Sequence, residues 1–179
     1  MTLLFGFVPF ILFALLSRLS ADLALWLAFA ASFVVTIRDF VESPSLRLLD
    51  GTSFALFGLL ALIRGFVMPE LSLAIVRTVV DAVLCLAIFA SLIRGRPFSL
   101  QYANRDTHTD WPLPAFLRVN QRISLVWAIA FGAMTLADGA VAFLAFPFYL
   151  GIGVSVVALA AGITFTLLYP ALAANRLAR

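Results

Sequence analysis

The chain has no lysine, one cysteine (Cys85) and one histidine (His108) in 179 residues, and only 12% of it is charged. One thiol and one imidazole cannot build a structural zinc site, an iron–sulfur cluster or a disulfide framework, nor ligate a haem through two imidazoles. No metal and no cofactor is therefore expected. A Gly-rich phosphate loop, a GxSxG elbow and an HExxH pair are missing as well. No catalytic residues are expected, and the sequence reads as non-enzymatic. The lone His108 sits between Asp106 and Asp110, where a solvated side chain is expected rather than a catalytic one.

What remains is apolar. Hydrophobic residues make up 64% of the chain and the mean hydropathy is +1.10. A soluble domain is about half apolar and about a quarter charged, so this chain has too little polar surface to cover itself in water. Six segments approach the roughly 20 apolar residues that a membrane-spanning helix needs. They run over about 2–16, 22–37, 52–68, 71–93, 124–146 and 148–174. The expected fold is all-α: a single transmembrane domain, residues 1–179, folded as a polytopic bundle of six helices. The first segment lacks a positive start, and the stretch at 17–21 is a poor cleavage site, so it reads as a span and not a leader peptide.

All twelve cations are arginines, and they are placed asymmetrically. With six spans, Arg38, Arg47, Arg94, Arg96, Arg105, Arg118, Arg122, Arg176 and Arg179 fall on one face. Arg18 and Arg64 fall on the other, and Arg77 lies inside the fourth span. Cationic loops are retained in the cytoplasm, so both termini are expected to be cytoplasmic. The net charge of +3 then orients a membrane protein, and no nucleic-acid partner is expected. Arg38, Asp39, Glu42, Arg47 and Asp50 decorate the inner loop, where solvated charges are expected.

The one long loop, 94–123, mixes cations with aromatics: Arg96, Phe98, Gln101, Tyr102, Arg105, Trp111, Arg118 and Arg122. Such residues favour the headgroup layer. The loop is expected to lie on the inner leaflet, or to form a binding lip for a cytoplasmic ligand or an anionic lipid.

Charges inside the spans are costly and normally pair within the bundle. At 1.5 Å per residue, Arg77 lies about 9 Å and Asp81 about 15 Å below the outer end of the fourth span. Asp138 lies about 12 Å below the outer end of the fifth, and Arg64 about 6 Å below that of the third. Arg77 and Asp81 are four apart and share a helix face. The expected cluster is Arg77, Asp81 and Asp138, with Arg64 at a similar level. Two acids on one cation leave one carboxyl under-compensated, and such a group could carry a proton. The plainer reading is a static ion pair that fixes helix register.

Small residues recur at four-residue spacing: Ala128 and Gly132 on the fifth span, then Gly151 and Ser155, and Ala158, Gly162 and Thr166 on the sixth. Such rows let helices approach closely, inside the bundle or across a homo-oligomer seam. A faint echo between 22–32 and 81–91 hints at an internal repeat, as transporters often carry.

The opening LLFGFVPFILFALL and the stretch FLRVNQRISLVWAIAFGAMTLADGAVAF carry a resemblance. The chain resembles the bacterial intracellular septation protein A family, small polytopic inner-membrane proteins implicated in envelope synthesis and division. In that family a similar proline-bearing first span opens the chain, and a Leu-Asn-x-x-Trp-Ala-type segment introduces the penultimate span. Asn120, Trp127 and Ala128 hold comparable places here, with a wider gap. The chain departs from the family at PFSLQYA, residues 97–103, which is similar to uncharacterised bacterial membrane proteins with a PFxxQYA loop. The resemblance implies a bacterial inner-membrane protein acting through contacts with lipid, with itself or with other membrane proteins, in septation or as an accessory subunit. The buried charges favour a different class, a small proton-coupled transporter or channel with an unspecified small-molecule or ion substrate.

Overall fold

The computed structural model describes residues 5–17, 19–42, 47–103 and 112–177, and among these it is all-helical, with no strand. Six α-helices follow in order: α1 Val8–Leu16, α2 Ala21–Glu42, α3 Leu48–Leu62, α4 Leu73–Ile93, α5 Leu113–Phe143 and α6 Phe148–Leu177. A π-helical turn, Ile63–Val67, prolongs α3, and a 3-10 turn, Phe98–Gln101, sits between α4 and α5. Five stretches are long and apolar enough to cross a membrane: Ala21–Val41, Leu48–Val67, Leu73–Ile93, Leu113–Phe143 and Phe148–Asn175. The described part of α1 has 9 residues, about half a span.

The burial pattern is inverted relative to a water-soluble bundle. Asp39, Asp50, Arg77, Asp81, Asn120 and Asp138 are buried, whereas Phe66, Leu136, Tyr149 and Val157 stand exposed on helix faces. In water that arrangement is unfavourable on both counts. In hydrocarbon it is the expected one, because apolar faces meet lipid and polar groups must find partners inside.

Each helix packs chiefly on its neighbours in sequence, most extensively α4 on α5 and α5 on α6, while α3 and α4 touch along fewer residues. Aromatic stacking ties the first helix to the later ones. Phe7 stacks on Trp127 with ring centres 4.2 Å apart and meets Phe98 edge-on at 6.2 Å. Phe10 and Phe13, one turn and two turns on, pack on Phe57 of α3. On α2 the buried Ala24, Ala28 and Ser32 recur every four residues and let α1 and α3 lie close.

Local chemistry sets the helix ends. α4 closes in a Schellman motif: Arg96 N–H reaches Ser91 O at 3.1 Å and Gly95 N–H reaches Leu92 O at 3.0 Å. The motif needs a left-handed residue after the helix, and Gly95 supplies it with φ +66. α5 ends where Ala145 turns left-handed at φ 56, just before Pro147.

Several boundaries differ from the sequence expectation. α5 starts at Leu113, so residues 113–123 are helix and not loop. Its 31 residues extend about 46 Å, well beyond a hydrocarbon core of about 30 Å. α3 begins at Leu48 rather than 52, which brings Asp50 into its first turn. α4 begins at Leu73 and α5 ends at Phe143, which sets Arg77, Asp81 and Asp138 about 6, 12 and 8 Å from the helix ends, each shallower than expected.

Candidate functional site

Ser72 caps α4 by accepting the Ile75 N–H at 3.3 Å, and one turn later the helix presents Arg77 to α5. Arg77 Nε donates to Asp138 Oδ2 at 3.0 Å, and Nη2 donates to Ser155 Oγ of α6 at 3.0 Å. Ser155 in turn donates to the Gly151 carbonyl at 2.8 Å. The Phe148 ring centre lies 5.7 Å from the guanidinium carbon. Three helices therefore meet at one cation. Asp81, one turn along α4, lies beside Asp138 and within the field of Arg77. Arg77 and Asp81 are each 6% exposed and Asp138 is 2% exposed. Gly151 is part of the construction, because a Cβ at that position would overlap Asp138 Oδ1.

Arg77, Asp81 and Ser155 line a cavity whose remaining wall is apolar and includes Phe7, Trp127, Phe131 and Leu159. Its volume is about 50 Å³, counted as space open to the centre of a water-sized sphere. That admits a few waters and nothing larger.

Arg64 does not join this cluster. Its Nε donates to Asp22 Oδ1 of α2 at 2.6 Å, and Nη1 is buried without a partner. The π-helical turn carries it to the end of α3 beside the first turn of α2, across the bundle's first half.

At the opposite end, the PFSLQYA stretch is a plug and not a surface loop. Phe98 is fully buried, and its N–H reaches Ser91 Oγ at 3.2 Å. Ser99 Oγ lies 2.9 Å from both Asn120 O and Asn120 Oδ1, and it accepts from Ser124 Oγ at 3.1 Å. Asn120 Nδ2 donates to Phe116 O at 2.9 Å. Gln101 Oε1 accepts the Leu48 N–H at 2.6 Å and so caps α3 from 53 residues away. Tyr102 Oη donates to Asp50 Oδ1 at 3.4 Å, and the Arg47 guanidinium lies 5.2 Å from the Tyr102 ring centre. Burial, reinforced by the Asp50 charge, pushes the Tyr102 phenol above its ordinary value. Phe98 and Tyr102, expected to meet headgroups, are thus interior residues. Asp39 and Asp50, expected to be solvated, are 2% and 1% exposed. Asp39 takes Arg38 Nη2 at 2.8 Å and Arg47 Nη1 at 2.5 Å, while Asp50 Oδ2 has no partner.

Arg96, Arg118 and Arg122 are exposed. Arg105 and Trp111, with Asp106, His108 and Asp110, lie outside the described residues.

The small-residue rows are used within the chain. Gly162 faces the Trp127 ring, where a Cβ would sit 3.3 Å from ring atoms, and Trp127 Nε1 donates to Thr166 Oγ1 at 2.9 Å. Ala158 packs against the core, and Gly132 sits opposite Cys85 Sγ. With Gly151 and Ser155 they seat α6 on α5 and α5 on α4, so the row offered as a self-association seam is already occupied. The echo between 22–32 and 81–91 has no counterpart in depth. Asp22 stands in the first turn of α2, whereas Asp81 lies in the third turn of α4.

Sequence reasoning found Arg77, Asp81 and Asp138 but missed Ser155 as a ligand of the guanidinium. It also missed the Asp39–Arg47–Asp50 group and the Ser99–Asn120–Ser124 network. Among the described residues no group of three His, Cys, Asp or Glu is arranged to hold a metal ion. No protein-family model, no curated protein and no solved structure matches the chain.

Proposed function

We propose that this is a non-enzymatic, six-span protein of a bacterial inner membrane, with both termini on the arginine-rich cytoplasmic side. It works through contacts of its helix faces with lipid or with other membrane proteins. The carrying observation is that the intramembrane charges are spent on architecture: Arg77 binds Asp138 and Ser155 at 3.0 Å each, and the mainly apolar cavity beside them has a volume of only about 50 Å³. The sixth crossing is assigned to the opening apolar segment, to which α1 belongs. The resemblance of the opening span and of α5 to the septation family supports a role in the cell envelope, or as an accessory subunit of a membrane complex.

One observation favours a second reading. Asp81 lies beside Asp138, the carboxylate that bonds Arg77, and it lines a small cavity. Like charges so placed are relieved when one proton is held between them, and a bundle that opened to either side could carry that proton.

A single pair of variants separates the two. Asp138→Asn takes from Arg77 the carboxylate it is bonded to, leaving only the unbonded Asp81 in its field, and is expected to cost about 3–5 kcal/mol of stability in detergent. Asp81→Asn is expected to fold, and proteoliposomes under an imposed potential then report proton flux. No flux from folded, inserted wild type upholds the first reading. Wild-type flux that disappears in Asp81→Asn overturns it and establishes the carrier.

A further inference from the structure

Two arginines on α5 stand apart from every described acid. Arg118 and Arg122 are four residues apart and share one face of the helix. Arg118 Nε donates only to the Pro114 carbonyl of its own helix, at 3.2 Å. Arg122 Nη1 donates to Tyr169 Oη on α6 at 2.9 Å, with the guanidinium 5.9 Å from the ring centre. Arg38, Arg47, Arg64 and Arg77 each meet a carboxylate, whereas Arg118 and Arg122 meet none among the described residues.

Both arginines line a hollow of about 260 Å³ between α5 and α6, with Tyr169 and Leu172 on the far wall. Tyr169 and Leu172 also border the next hollow, of about 450 Å³, which runs along α6 past Phe165 to Ala161. The stacked Phe165 and Tyr169 rings, 4.5 Å apart and 12° from parallel, stiffen that wall. From Leu172 to Ala161 is eleven residues, about 16 Å of helix rise, or half a hydrocarbon core. The furrow therefore joins a cationic mouth between α5 and α6 to an apolar face of α6 alone, as long as one leaflet.

We propose that this furrow binds an anionic phospholipid, its phosphate between Arg118 and Arg122 and one acyl chain along α6 from Leu172 to Ala161. Charge complementarity selects this occupant. Two guanidinium groups that meet no described acid favour a phosphate, and the apolar face of α6 running on from them favours an attached chain over a free anion. Arg122 is held ready by Tyr169, so little side-chain freedom is lost on binding.

The proposal rests on the membrane reading above, and the test keeps the two apart. Retention of the full-length protein in membranes through an alkaline wash is measured first, and its release would overturn the membrane reading itself. The purified protein is then offered phosphatidylglycerol and phosphatidylcholine of identical chains in mixed micelles, and bound lipid is counted by native mass spectrometry. Two arginines facing a headgroup of net charge −1 rather than a zwitterion neutralised by choline predict a preference of about thirtyfold for the anionic lipid. Arg118→Gln/Arg122→Gln should abolish it. Arg94→Gln/Arg96→Gln, which removes equal charge from the exposed turn after α4, should leave it intact. Arg118→Gln alone, an exposed change touching only its own helix, should lower it severalfold and guards against a misfolded double variant. Glycerol phosphate in millimolar excess should not displace the lipid. Equal retention of both lipids, a preference that survives the double variant, an equal loss in the Arg94/Arg96 variant, or displacement by glycerol phosphate would each overturn the proposal, the last in favour of a free phosphate site.

Discussion

Replacing Gly151 with Ala sets a local gain against a tertiary loss. Ala is the better helix former by about 1 kcal/mol. Its Cβ, however, would occupy the space of Asp138 Oδ1, and that carboxyl group holds Arg77 Nε at 3.0 Å. The clash cannot be relieved at the tip of a flexible chain, because the other oxygen of the same carboxylate is fixed to the guanidinium. If α6 moves outward, Ser155 leaves Arg77 Nη2; if Asp138 rotates, Arg77 keeps a buried and uncompensated charge. Overpacking costs about 1–3 kcal/mol and an orphaned buried charge about 3–5 kcal/mol. Set against the helix gain, the net loss is about 2–4 kcal/mol when the carboxylate is displaced. For a chain of this size that is roughly 5–12 °C in melting temperature. Gly153 is the control. It lies two residues away on the same helix, and a Cβ there meets nothing within 4 Å, so Gly153→Ala should melt at or slightly above wild type. Thermal unfolding in one detergent, followed by tryptophan fluorescence, compares the three proteins. In Asp138→Ala the obstructing oxygen is gone, so adding Gly151→Ala to it should cost nothing further, a clear departure from additivity. Gly151→Ala melting as high as Gly153→Ala would refute the close approach of α6 to Asp138.

Ser99→Ala should cost about 1–3 kcal/mol, because it leaves Asn120 Oδ1 and Ser124 Oγ buried without their shared partner; a variant as stable as wild type would mean that these groups rearrange to satisfy each other. Tyr102 makes a pH prediction. Burial raises its phenol above 10.0, the ordinary value, so the folded chain holds that proton more tightly than the unfolded one. The resulting stability is complete below pH 10 and declines as the pH rises beyond it. Wild type should therefore lose more stability than Tyr102→Phe on going above pH 10, and parallel curves for the two would contradict the burial of Tyr102.

The Arg77 cluster was legible because an arginine within an apolar run must find an acid at its own depth, and hydropathy plus helix rise supply depth. Ser155 escaped because serine at four-residue spacing from Gly151 reads equally well as packing, and only the fold shows that it does both. The opposite end of the bundle was misread for a different reason. Hydropathy windows end a span at its first charges, so Asp39 and Asp50 were placed in solvent. The start of α3 is in fact set by Gln101, 53 residues away, and no local pattern carries that information. Residues 113–123 were recoverable. Ala115, Phe116, Val119 and Ile123 are buried at helical spacing, a periodicity that Arg118, Asn120, Gln121 and Arg122 mask in an average but not in a moment.

The placement of small residues bears on how the chain meets its neighbours. α6 carries two such faces. One, with Gly151, Ser155 and Gly162, is closed against Asp138 and Trp127. The other, with Gly153, Ala160 and Ala161, opens outward, along a hollow between α5 and α6 and another on α6 alone. A second copy docking through the first face would have to displace the Arg77 network and unstack Gly162 from Trp127, at a cost far above what one helix contact in lipid returns. Association through α6 is therefore left with the outer face. That is the face whose cationic end we assign to a lipid headgroup, so a partner helix lying along its lower half and a bound anionic lipid would compete for the same wall, Tyr169 and Leu172.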